Sequence, residues 1–247
     1  MNKQEFQNLL DFGMTPAQII STALNDHLPN AATRMAMFVY GSSVYQNKTP
    51  SDIDVKVVVD KTPAPFELVI GDYNVHVVSF DDFLEDYLRC DIVTLECMLA
   101  PEHTRLMDTS VIIERYIAQL KQYGVNLACL RETFSQTASN SYVKAKKKLI
   151  VPESYDLECS RKSMWHSLRI LAFGKSIATT NSIDFQEMNE VYETVLEVYE
   201  ECNNDWEQIR EVLKPVYNHY ASEFREVAPK FDNSHFADKM QSSHGYF

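Results

Sequence analysis

Between residues 35 and 78 the chain carries four short apolar runs, MAMFVY, IDVKVVV, FELVI and YNVHVV, and directly after Val78 the periodicity changes. Runs of this length, rich in β-branched and aromatic residues and bounded by turn formers, read as strands. They cover residues 35–40, 53–59, 66–70 and 73–78, and the Gly71-Asp72 pair between the last two predicts a tight hairpin. The pattern implies a small mixed sheet of about four strands within residues 31–79, with helices packed on one face.

From Phe80 onward, Phe80, Phe83, Leu84, Tyr87 and Leu88 recur at the three- and four-residue spacing of a helix face. Further helices are predicted over 92–99, 109–123, 131–149, 160–176, 185–200 and 206–227. Val151-Pro152 and Ala228-Pro229 act as stops, and 177–184 reads as a loop. One helix precedes the strands, over 17–28, opening at Pro16 under a Thr15 cap. The fold class is therefore α+β: a strand-bearing core in residues 1–105, a helical domain in 106–231, and a flexible tail in 232–247.

The 247 residues carry a formal net charge of −12, which argues against a surface built to coat nucleic acid but leaves room for a local basic groove. Cys90, Cys97, Cys129, Cys159 and Cys202 are scattered, odd in number and without CxxC spacing, as expected of small apolar residues in a reducing compartment. The N-terminal MNKQEFQNLLDF lacks a signal-peptide core, and no apolar run nears the roughly 20 residues that cross a bilayer. A cytoplasmic location with no membrane partner is the expectation.

Asp52 and Asp54 stand one residue apart at the head of the second strand. Residues two apart on a strand project from the same face, so both carboxylates leave together while Ile53 and Val55 turn inward. Two acids this close repel, and a hard divalent cation such as Mg²⁺ or Mn²⁺ compensates them. A polar turn with Ser51 and Asp52 as caps and Asp54 at a solvated edge accounts for the same letters. The preceding Gly41-Ser42-Ser43 weighs toward a site: the glycine permits close backbone approach, and the serines offer hydroxyls and N–H groups to phosphate at the start of a helix.

Gly41-Ser42, nine residues, then Asp52-Ile53-Asp54 between hydrophobic strands resembles the signature of the polymerase-beta-like nucleotidyltransferase superfamily. It looks most like the predicted nucleotidyltransferases of bacteria and phages. In that branch a following strand and helix end in an acid, here Glu96, and a later helix carries Lys-x-x-x-His-x-x-Arg, here Lys162, His166 and Arg169. The resemblance reaches from about residue 36 to 176. It implies an enzyme with a Mg²⁺ or Mn²⁺ cofactor that moves a nucleoside monophosphate from an NTP, ATP first among them, to an acceptor and releases pyrophosphate. Asp52 and Asp54 would be its metal ligands, and Gly41, Ser42 and Ser43 would contact nucleotide. The third acid usual in the superfamily falls at His76. Three readings follow: His76 takes that role, Glu67 on the neighbouring strand reaches in, or the protein binds nucleotide without efficient transfer.

Lys162, His166 and Arg169 lie at i, i+4 and i+7, so one helical face presents all three. A buried histidine and a surface ion-pair arginine account for the same letters. The resemblance implies a nucleotide-binding set, with Lys162 and Arg169 as contacts to triphosphate or acceptor and His166 as a positioning residue. Lys144, in the lysine-dense run 144–148, joins them either as a phosphate contact or as part of a solvated face. The acceptor is left open between a small molecule, an RNA end and a protein. The aromatic C-terminal helices read as core or as a homo-oligomer contact, and a non-catalytic nucleotide- or partner-binding module is the competing class.

Overall fold

The computed structural model describes residues 1–28, 32–45, 52–185 and 187–230, so the expected tail lies outside the described residues, as does Ser51. The chain divides into two compact units, Met1–Gln119 and Leu120–Phe247, which meet within one helix. The fold is α+β.

Unit 1 holds β1 (Arg34–Tyr40), β2 (Ile53–Val59), β3 (Phe66–Ile70) and β4 (Tyr73–Ser79) in one sheet of order β1-β2-β4-β3. β1 runs antiparallel to β2, β2 parallel to β4, and β3 antiparallel to β4, giving the expected mixed sheet. The β3–β4 hairpin turns at Gly71, whose φ of +63° suits a glycine at the first central position of a two-residue turn. A Cβ there would come within 2.6 Å of the Phe6 ring, so the turn is also closed against a neighbour.

Two helices precede the sheet, α1 (Lys3–Asp11) and α2 (Pro16–Leu24), each opened by a reciprocal capping box, Asn2 with Glu5 and Thr15 with Gln18. They bury Phe6, Ile19, Ile20 and Leu24 against Met37, Val55, Val57, Val75 and Val77, one face of the sheet. The opposite face is covered as well. A one-turn α3 (Ser42–Tyr45) follows β1, and α4 (Phe80–Leu88) and α5 (Ile92–Leu99) follow β4. Phe38 stacks on Phe83 at 6.2 Å, and buried Lys56 reaches from β2 to Thr94 (2.9 Å) and to Asp86 (3.4 Å). The expectation of helices on one face is therefore corrected: every residue from Thr94 to Leu99 is buried, and a helix apolar all round needs cover on both sides.

Helix α6 (Val111–Tyr123) contains the division between the units. Unit 2 continues with α7 (Leu127–Ile150), α8 (Leu157–Thr180), α9 (Glu187–Glu201) and α10 (Trp206–Val227). A short 3₁₀ turn at Pro152–Ser154 joins α7 to α8. In unit 2 three boundaries differ from the sequence reading by three residues or more. Asn126 caps α7 through the Cys129 N–H (2.9 Å) and Asp156 caps α8 through the Cys159 N–H (3.0 Å), starting both helices earlier. Helix α8 also runs on to Thr180, because buried Ile177 extends the apolar stripe from Phe173 and left-handed Asn181 (φ +52°) ends it.

Candidate functional site

In unit 1 the polar residues gather at one end of the sheet. Tyr40 pairs with Asp54 across the β1–β2 ladder, and Asp54 pairs with Asn74 across the parallel β2–β4 ladder. One step further, Lys56 aligns with His76 and His76 with Glu67. By strand alternation Asp54, Asn74, His76 and Glu67 share a face. Asp52 sits just ahead of β2 and is exposed, while Asp54 is half-buried.

The Asn74 side-chain N–H₂ donates to Asp52 Oδ2 at 2.9 Å and to Asp54 Oδ1 at 3.3 Å, so one amide ties both carboxylates. Burial raises the Asp54 pKa above the ordinary carboxylate value; the Asn74 hydrogen bond opposes this, Asp52 adds to it, and His76 offsets it. His76 Nδ1 lies 3.0 Å from Glu67 Oε1, and its ring meets Tyr40 edge-on with centroids 6.0 Å apart. A carboxylate only accepts, so Nδ1 carries the proton and Nε2 is left as the acceptor in the neutral ring.

Gly41 follows β1 with φ +72°, a backbone conformation that leads directly into α3. Its N–H is received by the carboxyl of Glu96 on α5, which burial, with Asp91 nearby, pushes up to about 8. At neutral pH that carboxyl is protonated and pins the turn without adding a charge. The Ser43 hydroxyl is buried and finds no partner among the described residues. Because α3 is a single turn, it has little aligned dipole, and with the Gly41 N–H committed to Glu96 any hold on phosphate falls to the Ser42 and Ser43 N–H groups and hydroxyls.

The residues taken from the later helical pattern lie in unit 2. Lys144, Lys162 and His166 line one cavity of about 430 Å³ between α7 and α8. Arg169 is not on its wall: it is buried, its guanidinium packs 5.2 Å from the Trp165 ring centroid and 5.4 Å from that of Phe173, and its Nη2 lies 3.2 Å from His166 Nδ1. Burial draws the Arg169 pKa down to about 9. Burial, aided by Lys144, draws His166 down to about 4, so the imidazole is neutral.

Among the described residues no three His, Cys, Asp or Glu side chains form a ready-made metal cage. The donor set still fits a hard divalent cation of the Mg²⁺ class, which is held by one or two carboxylates and completes its shell with water and substrate phosphate. The Asn74 amide bridges the two acids where such a cation would neutralise them. Sequence reasoning missed Asn74, although it stands two residues before His76 on the same strand face.

The sequence matches no protein-family model and no curated protein. Among solved structures, the chain is similar to a nucleotidyltransferase-like protein from Exiguobacterium sibiricum 255-15, with 10% sequence identity over 85% of this chain and 73% of that one and a TM-score of 0.33. A likeness this loose assigns no chemistry to this chain.

Proposed function

We propose that the chain is a nucleotidyltransferase that moves a nucleoside monophosphate from an NTP, ATP first among them, to an acceptor hydroxyl. The observation that supports this reading best is the Asp52–Asp54 pair tied by one amide beside the positive-φ Gly41 turn. The acceptor oxygen bonds to the α-phosphorus, the bond from that phosphorus to the α,β-bridging oxygen breaks, and pyrophosphate leaves with its β,γ-bridge intact. Asp52 and Asp54 would hold Mg²⁺ or Mn²⁺, which when bound supplies charge neutralisation for the phosphates. Asn74 fixes both carboxylates in orientation. His76, oriented through Nδ1 by Glu67, presents Nε2 to take the acceptor's proton. Ser42 and Ser43 would offer N–H and hydroxyl donors to phosphate oxygens, with Gly41 making the turn that Glu96 holds.

A second reading has an observation of its own. With Asn74 and His76 on β4, the strand beside the acid pair brings no third carboxylate, which suits a module that binds nucleotide without turning it over. The two separate in one experiment: each labelled NTP is incubated with Mg²⁺ or Mn²⁺ and a panel of small-molecule, RNA-end and protein acceptors. Metal-dependent pyrophosphate release that falls by about 100-fold or more in Asp54→Asn supports transfer. Tight nucleotide binding with no release on any acceptor supports the module.

A further inference from the structure

The cavity in unit 2 has a charge balance unlike that of a polyphosphate site. Its acidic residues are already engaged: Glu158 Oε1 lies 3.5 Å from Lys162 Nζ, and Asp156 Oδ2 lies 4.0 Å from Lys148 Nζ while its other oxygen caps α8. Lys144 lines the same cavity and has no ion-pair partner among the described residues. The cavity thus holds one uncommitted cation.

Beside that cation stands a donor whose tautomer is set from behind. A guanidinium has no acceptor, so the 3.2 Å contact between Arg169 Nη2 and His166 Nδ1 requires Nδ1 to accept. The neutral ring then carries its proton on Nε2, and burial keeps it neutral. Arg169 is itself held on Trp165 and Phe173, one helical turn before and after it. Ser163, buried and one turn before His166, adds a hydroxyl to the cavity wall. A volume of about 430 Å³ lies in the range of small-molecule sites.

We propose that this cavity binds a small organic ligand through a single oxyanion group, carboxylate or phosphate, received by Lys144 and by a His166 Nε2–H that Arg169 orients. The site is a property of unit 2 and does not depend on nucleotidyl transfer. It also gives Arg169 a different task from the direct nucleotide contact expected of it: Arg169 is a positioning residue.

The test is nitrogen-15 histidine NMR on the full chain without divalent metal, with inorganic phosphate, acetate and ATP as probes. His166, assigned with His166→Gln, shows the neutral Nε2–H pattern before any ligand is added. Phosphate and acetate each shift it saturably, and ATP binds no more tightly than phosphate. Lys144→Gln, at an exposed position, weakens both small anions by about 10- to 100-fold, as does His166→Phe. His166→Gln, which keeps a donor near Nε2, retains binding within about 3-fold. Arg169→Met mixes the tautomers; should that variant not fold, the His166 and Lys144 variants carry the test. His166 signals unmoved by all three probes would overturn the proposal. So would a response to ATP alone, which marks a polyphosphate site, or a His166 ring protonated on Nδ1.

Discussion

Replacing Asn74 with Asp tests the acid site without touching either acid. In the wild type the Asn74 N–H₂ donates to Asp52 at 2.9 Å and to Asp54 at 3.3 Å. Asn74→Asp removes both bonds and puts a third carboxylate among two others. A hydrogen bond to a charged group contributes about 1.5–3 kcal/mol, and this one faces solvent on the Asp52 side, so the lower end applies. Repulsion between carboxylates about 4 Å apart adds roughly 1 kcal/mol at the dielectric of an exposed site. The expected loss is about 2–3 kcal/mol at pH 7, or on the order of 10 °C in the melting of unit 1. The sign with pH follows from Asp54, whose pKa is already raised in the folded state. A raised carboxylate binds its proton more tightly when folded, so its unfavourable contribution is absent below the ordinary carboxylate pKa and grows as pH rises through the folded value. The variant approaches wild-type stability at low pH and diverges above it. Mg²⁺ at about 100 times its dissociation constant restores about 2.7 kcal/mol, because the cation binds only the folded acids. Calorimetry is the assay, since Trp165 and Trp206, the chain's two tryptophans, both lie in unit 2. A variant as stable as wild type at pH 8, or one that Mg²⁺ stabilises no more than it does Asn74→Leu, would refute the reasoning.

Two further outcomes follow from buried groups. Glu96 has a folded pKa raised to about 8, so as pH rises from its ordinary value toward 8 the unfolded chain has lost a proton that the folded chain keeps, and stability falls. Denaturant titrations between pH 5 and 8 on Glu96→Gln are expected to show that decline flattened by up to about 1.4 kcal/mol per pH unit; an unchanged slope would mean Glu96 is ionised in the folded state. In unit 2, a Cβ on Gly174 would sit 2.8 Å from the Phe224 ring and 3.1 Å from Phe134, both fully buried. Contacts this short put overpacking in the upper part of its usual range, about 2–3 kcal/mol, against a gain of about 1 kcal/mol in helix propensity, so Gly174→Ala loses about 1–2 kcal/mol, read by tryptophan emission in urea.

The legible part of the fold was the part with a local period. Four strands and the Gly71 turn follow from alternation and turn chemistry within a few residues of each position. The early starts of α7 and α8 were equally local, since Asn126 and Asp156 are ordinary capping residues; apolar periodicity alone passes over a cap because the cap carries no apolar side chain. Asn74 was illegible for a different reason. Its pairing with Asp54 depends on a parallel ladder between strands separated by a third one, and no spacing in the sequence sets that register. A search for a third acid also passes over an amide, although an amide donor compensates two carboxylates where a third acid would add to their repulsion.

Arg169 shows the opposite failure, a spacing that was read correctly and a side chain that was assigned to the wrong surroundings. Lys162, His166 and Arg169 do recur at i, i+4 and i+7, yet along that stripe burial deepens from an exposed lysine to a half-buried histidine to a buried arginine. The signal lay one step outside the motif, in the sequence Trp165-x-x-x-Arg169-x-x-x-Phe173. Aromatic rings one turn before and one turn after pack on the guanidinium, and a cation buried among them acts on its neighbours instead of on solvent. What Arg169 reaches is His166 Nδ1, and by occupying that nitrogen it decides which edge of the imidazole faces the cavity with a proton.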